Sequence, residues 1–165
     1  MPSGKIHTRI NFISLPAILI ALMAWGLTST SFYLFFALGF VVGTYLITPD
    51  MDTRSDSYRR WGIFRFIWYP YMRSVSHRSP ISHTLILGDV FRLVYLTTIL
   101  SPLLIVINKY LLDGNILIYV EAYKFQLLSV VIGIMAASAM HIIADNISTK
   151  RKRLATKRRK RRKKK

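Results

Sequence analysis

The chain reads as an all-α membrane protein, a bundle of four transmembrane helices with both termini cytoplasmic and a basic tail. Three observations predict it. Four long apolar runs punctuate 165 residues, of which 52% are hydrophobic. The net charge is nevertheless +17, and thirteen of the twenty-four Lys and Arg are crowded into residues 150–165. The remaining Lys and Arg are distributed unevenly among the connections, and their bias sets an orientation. Cysteine is absent, which excludes thiolate metal sites, disulfides and cysteine nucleophiles.

The first span is read at about residues 10–28, preceded by Lys5 and Arg9. Residues 28–31, Thr-Ser-Thr-Ser, lack a small-x-small cleavage pattern, and another span follows at once, so the run is read as retained rather than as a cleaved signal peptide. The second span, about 31–48, is short against the roughly 20 residues that cross a bilayer, and Ser31 and Thr48 extend it cheaply. Pro49 disfavours helix at Thr48 and opens a connection at 49–83. That connection carries Arg54, Arg59, Arg60, Arg65, Arg73 and Arg78 and is read as the central cytoplasmic loop. Its aromatic stretch, Trp61, Phe64, Phe66, Trp68, Tyr69 and Tyr71, suits the headgroup layer.

The third span is read at about 85–112 and contains Pro102. Asp89 and Arg92, three apart, can pair, which lowers their cost of burial; a structural ion pair is the first reading and an extra metal ligand from Asp89 the second. A weakly charged outer connection carries Asp113, Glu121 and Lys124, and the fourth span follows at about 125–145. The order is therefore in, out, in, out, in. Residues 1–148 form the membrane domain. Residues 149–165 are self-repelling and low in complexity, hence disordered when free. Such a tail attracts anionic lipid headgroups next to the membrane, and ribosome or nucleic acid through counterion release. No aromatic residue interleaves with its charges, so base stacking is not indicated.

The four histidines, His7, His77, His83 and His141, all stand where an apolar run meets a polar segment. This topology sends each of them to the cytoplasmic face, together with Asp50 and Asp52 at the end of the second span and Asp145 at the end of the fourth. His141 and Asp145 are four apart and share one face of a helix. Imidazole and carboxylate suit zinc, manganese and iron. Each residue alone reads as an interfacial polar group, but none of the four histidines falls in the outer loop or the tail. As a set they read as a site for a divalent metal, zinc first, with manganese or iron as alternatives. The ligand candidates are His7, Asp50, His83, His141 and Asp145. Asp52 is the candidate base or orienting group, His77 a ligand or leaving-group acid, and Arg78 a phosphate clamp, because a guanidinium fork matches phosphate oxygens. No Gly-rich phosphate loop, HExxH or GxSxG motif is present.

Several segments occur in an order that resembles a family of bacterial metal-binding membrane proteins common in cyanobacteria. They are Met1-Pro2-Ser3-Gly4-Lys5-Ile6-His7, Thr48-Pro49-Asp50-Met51-Asp52, Arg59-Arg60-Trp61-Gly62, His77-Arg78-Ser79 with Ser82-His83, and His141-Ile142-Ile143-Ala144-Asp145. More distantly, the pattern is similar to LexA-regulated, membrane-bound metal-dependent hydrolases. Two departures stand out. Thr8 occupies a position where the family often has an acid, and the distant hydrolases usually space the two central histidines one residue closer. The resemblance implies a multi-pass protein of the bacterial inner membrane, or of a thylakoid in a cyanobacterium. It also implies metal binding or metal-dependent hydrolysis without a settled substrate; a phosphoester or lipid-type substrate is the expectation adopted. The competing expectation is a non-enzymatic anchor whose tail recruits anionic lipid, ribosome or nucleic acid. Metal transport is the weakest, because no ligand candidates line the outer half of any span.

Overall fold

In the computed structural model, residues 4–27, 29–75 and 84–162 are described, and all their regular structure is helical. His77, Arg78, Ser82 and His83 lie outside the described residues. Four helices are long and apolar enough to cross a membrane. The helices, in chain order, are α1 (Gly4–Ala24), α2 (Thr30–Tyr45), α3 (Asp56–Arg60), α4 (Tyr69–Ser74), α5 (Leu87–Leu111), α6 (Ile116–Ala122) and α7 (Lys124–Arg162), with 3₁₀ turns at Pro49–Asp52 and Gly62–Trp68.

Helix α1 starts earlier than the apolar run, so His7 is a helical residue rather than one that precedes a helix. Gly26 ends it, in a left-handed conformation (φ +92°) that glycine adopts freely. The Ser29 hydroxyl caps α2 by accepting from the Phe32 amide at 3.3 Å. Thr48 is extended ahead of Pro49, as the proline requires, and the chain turns sharply into the 3₁₀ segment that carries Asp50 and Asp52.

The centre of the molecule is the α2–α7 pair. A Cβ built on Gly39 would lie 2.0 Å from the Val130 carbonyl oxygen, and one on Gly133 would lie 2.2 Å from that of Phe36. Only glycine lets the two backbones approach this closely. Gly39 and Gly43 on α2, with Gly133 and Ala137 on α7, make small-xxx-small faces that meet each other. Phe36, Phe40 and Ala137 are buried at this seam, and Leu15, Ile18, Leu19 and Leu22 of α1 pack over it. Asn11 fastens α1 by donating to the Thr44 hydroxyl at 3.0 Å and the Ala137 carbonyl at 3.2 Å.

The expected four-helix bundle is corrected to three packed helices with α5 attached at one end. Among the described residues of α5, only Gly88, Asp89 and Arg92 are buried. Both charged side chains are wholly enclosed, at 0% exposure. Arg92 pairs with Asp89, and the Ser138 hydroxyl of α7 donates to Asp89 at 2.6 Å. Beyond that first turn, Tyr95 and Leu96 reach the loop core, and the rest of α5 presents apolar side chains outward.

Residues 49–75 are more ordered than a loop. Ser55 caps α3, accepting from the Tyr58 amide at 3.2 Å. The Trp61 indole donates to the Leu46 carbonyl at 3.0 Å and ties the segment beneath α2. Met51, Trp68, Tyr71 and Val75 form a second small core. The aromatic stretch therefore divides: Trp68 and Tyr71 are buried, while Ile63, Phe64, Phe66 and Tyr69 stay exposed. Burial pushes the Tyr71 hydroxyl pKa up; the Arg92 charge opposes that shift and the Asp52 charge adds to it.

The segment expected to be a disordered tail is helical through Arg162 in this structure, α7 continuing past the expected end at 145. Its 39 residues span about 58 Å at roughly 1.5 Å per residue. Residues 143–162 contain neither Gly nor Pro, and Lys, Arg, Leu and Ala are good helix formers. The costly nucleus is already in place upstream, so each further residue adds a helical hydrogen bond.

Candidate metal centre

The site is assembled from three elements: the first turn of α1, the 3₁₀ turn that follows α2, and the middle of α7. On α7, Ser129, Gly133, Ala137, His141 and Asp145 recur every fourth residue and so lie on one face. The small members of that stripe bring α2 close. As a result, the 3₁₀ turn at the end of α2 delivers Asp50 beside His141, with Asp50 Oδ2 3.3 Å from His141 Nε2. His7 arrives from α1, one turn before Asn11, and that side chain's hydrogen bonds fix the height of α1 against both partners.

His7 Nε2 lies 3.2 Å from Asp145 Oδ1, and His141 Nε2 lies 3.9 Å from Asp145 Oδ2. The two imidazole rings stack with centroids 4.0 Å apart and planes 19° apart. His7 and His141 are buried, and Asp145 is partly so. The ligand atoms of His7, His141 and Asp145 all lie within 4.8 Å of one another, so this group could hold a metal ion. A cavity of about 20 Å³ adjoins it, with the polar residues His7, Asn11, Thr44, Asp50, Asp56 and His141 in its wall. That is room for about one water-sized occupant.

The donors fit a divalent ion. Two donors each about 2.1 Å from a tetrahedral centre stand about 3.4 Å apart, and the His7–Asp145 and His141–Asp145 separations of 3.2 and 3.9 Å bracket that value. His141 Nε2 and His7 Nδ1 are buried without a hydrogen-bond partner of good geometry among the described residues. A buried nitrogen of this kind carries a desolvation cost that a ligand would relieve.

Of the residues singled out in the sequence, His7, Asp50, His141 and Asp145 are brought together. Asp52 is not in the group; it is buried on the same 3₁₀ turn, close enough to Tyr71 for its charge to act there. His77, Arg78 and His83 lie outside the described residues. Sequence reasoning missed Asn11, Thr44 and Ser138. Each is a polar residue inside an apolar helix, and Asn11 follows His7 by four positions, so the signal was present. It also missed Asp56, whose carboxylate packs so tightly on Gly4 that a Cβ there would lie 2.6 Å from Oδ2.

Comparison with known proteins points to metal binding in general terms. A protein of Aquifex aeolicus (strain VF5), described as "Uncharacterized protein", is 36% identical over 62 residues, which is 37% of this chain and 43% of that relative. The aligned stretch thus spans less than half of the relative's length. No solved structure matches. The family described as "Uncharacterized metal-binding protein (DUF2227)" matches residues 2–155, nearly the whole chain including all four converging residues, and the chain belongs to that family.

Proposed function

We propose that the chain is an integral membrane protein that uses this site as a metal-dependent hydrolase, acting on a phosphoester or lipid-type substrate at the cytoplasmic face of the bacterial inner membrane, or of a thylakoid in a cyanobacterium. The convergence of His7, Asp50, His141 and Asp145 from three separate elements carries the reading. His7, His141 and Asp145 are the core ligands, Asp50 the fourth and His83 a further one; zinc is the first candidate, then manganese or iron. A bound divalent ion supplies Lewis acidity and acidifies water. The protein's own side chains do the rest. Asp50 and Asp145 hold negative charge against the imidazoles, Asp52 is the base or orienting group, His77 protonates a leaving group, and Arg78 grips a phosphoryl group.

Membrane location is supported by the surface that the fold leaves bare. Large apolar side chains such as Ile20, Leu34, Leu38, Leu103, Ile105 and Val106 are exposed along the long helices, far more than a water-facing surface carries. Lys and Arg concentrate at the site end of the helices, which supports cytoplasmic termini. The test is the metal content of detergent-purified protein, followed by turnover on a phosphoester and phospholipid panel. Wild type should carry stoichiometric zinc, manganese or iron, and His141→Ala and Asp50→Ala should lose most of it. Wild-type protein without stoichiometric metal would overturn the site, and metal without turnover would reduce the function to binding.

A second reading, a non-enzymatic anchor recruiting anionic lipid, ribosome or nucleic acid, is favoured by the exposed basic extension of α7. Under it, neutralising the extension abolishes function and His141→Ala is silent.

A further inference from the structure

Residues of α1 and α7 line an apolar groove of about 530 Å³ that contains none of His7, His141 and Asp145 in its wall. Ile6 and Ile10 form one wall, and Ile143 and Ile147 the other. Arg151 and Lys152 close one end. Ile6, Ile143 and Ile147 are exposed, as are both basic side chains. The groove is therefore amphipathic along its length: a hydrocarbon trough that ends in two cations. Arg151 stands six residues beyond Asp145 on the same helix, about 9 Å further along its axis.

We infer that this groove is a binding site for one anionic phospholipid, its acyl chain lying between the isoleucines and its phosphate held by Arg151 and Lys152. The chemistry on each side selects the occupant. An acyl chain covers the mostly apolar walls, in which Ser148 is the one polar uncharged side chain, beside Arg151 and Lys152. The phosphate oxygens accept charge-assisted hydrogen bonds from a guanidinium and an ammonium, and an anionic headgroup complements their charge as a zwitterionic one does not. A soluble anion would leave the isoleucine walls bare. A second copy of the chain would bring its own Arg151 and Lys152 or another strongly basic surface to a basic rim. The inference rests on the membrane location proposed above and not on the metal. The headgroup is anchored well past Asp145, so occupancy of the groove does not require an ion between His7 and His141.

Native mass spectrometry of the full chain released from micelles doped with dioleoyl phosphatidylglycerol or dioleoyl phosphatidylcholine tests it. Wild type should retain one phosphatidylglycerol per chain and at least about tenfold less phosphatidylcholine, tenfold being the effect of about 1.4 kcal/mol. Ile147→Trp fills the trough without changing the charge and should remove most of the bound lipid; Ile10→Trp, on the opposite wall, does the same independently. Arg151→Gln with Lys152→Gln should erase the headgroup preference. Lys157→Gln with Arg159→Gln and Lys160→Gln should leave retention intact, because those charges lie beyond the groove. Retention unchanged by both tryptophans, equal retention of the two lipids, or loss on neutralising only the distal charges overturns the proposal. So does a lipid-free dimer. Metal content measured on the same samples separates the two readings, since metal loss with lipid kept sinks the metal site alone.

Discussion

Two of the seams that α7 makes with the other long helices work by opposite means. Between α2 and α7 the backbones themselves touch, with Gly39 and Gly133 each admitting the other helix's carbonyl to a distance that no side chain permits. Between α5 and α7 almost nothing apolar meets; the join is Asp89, Arg92 and Ser138, fully enclosed and bonded to one another. The first seam gains dispersion over a long, close contact. The second gains charge-assisted hydrogen bonds at one point. In a hydrocarbon surrounding this division is reasonable. Apolar side chains lose nothing by facing lipid, so the interfaces fall to small residues that permit contact and polar residues that need partners. The difference also assigns the seams different tasks. The glycine seam sets where the 3₁₀ turn meets His141, and so builds the metal centre. The polar pin fixes α5, and with it the second core, to a point one turn before His141.

The largest expected break is at the glycine seam. Gly133→Leu drives a side chain into the Phe36 backbone, where no rotamer relieves it. Overpacking of a flexible core costs about 1–3 kcal/mol, and a backbone collision exceeds that. We expect loss of folded protein in detergent, or folded protein without metal, read by thermal unfolding and metal analysis. Retention of both would remove the seam from its role. Next comes Asp89→Ala, which strands a buried guanidinium. Breaking one partner of a buried pair costs about 3–5 kcal/mol. Replacing both, Asp89→Leu with Arg92→Met, should recover most of the loss, measured as unfolding midpoints of the single and double variants. A double variant no better than the single would mean that the pair does more than neutralise itself.

Ser138→Ala sharpens the contrast at smaller scale. It removes a hydroxyl that donates to Asp89 and accepts from Arg92, hydrogen bonds to charged groups worth about 1.5–3 kcal/mol each, and should loosen α5 while metal binding persists. Limited proteolysis between α4 and α5 reads the first, and metal content the second. The smallest effect is at Tyr71. Its hydroxyl pKa is raised in the folded state, so the neutral ring's contribution is fully present below the ordinary value of 10.0 and is lost as pH climbs through the folded value. Thermal stability should therefore fall above about pH 10, and Tyr71→Phe should flatten that fall and change neutral-pH stability by about 1 kcal/mol or less. An identical alkaline limb in the variant would place the titration elsewhere.

Much of this was legible in the sequence because it depends on composition or short spacing. Four apolar runs give four long helices. Pro49 places the turn, and the four-residue step from His141 to Asp145 puts both on one face. The Asp89–Arg92 pair was readable from its three-residue step. What was not legible was hidden for a common reason. The tail's composition argues for disorder only if the chain must nucleate a helix there, and α7 had already done so. The second core at Met51, Trp68 and Tyr71 was hidden because a short aromatic stretch serves an interface and a core equally well. The Gly39-to-Gly43 and Gly133-to-Ala137 spacings were visible, but spacing alone names no partner helix.

The sequence by itself determined the helices, their apolar surfaces and the side chains able to ligate a metal, since each follows from local propensity and from the transfer chemistry of single residues. Only the tertiary structure decided which of those side chains meet. That choice depends on how closely α2 and α7 approach, and the approach is set by two glycines far from the site in sequence. It depends also on Asn11, whose two hydrogen bonds fix α1 at the height where His7 reaches Asp145. Distances of 3–4 Å between residues 7, 50, 141 and 145 are set by such packing, which is cooperative across the fold and is not the property of any one segment.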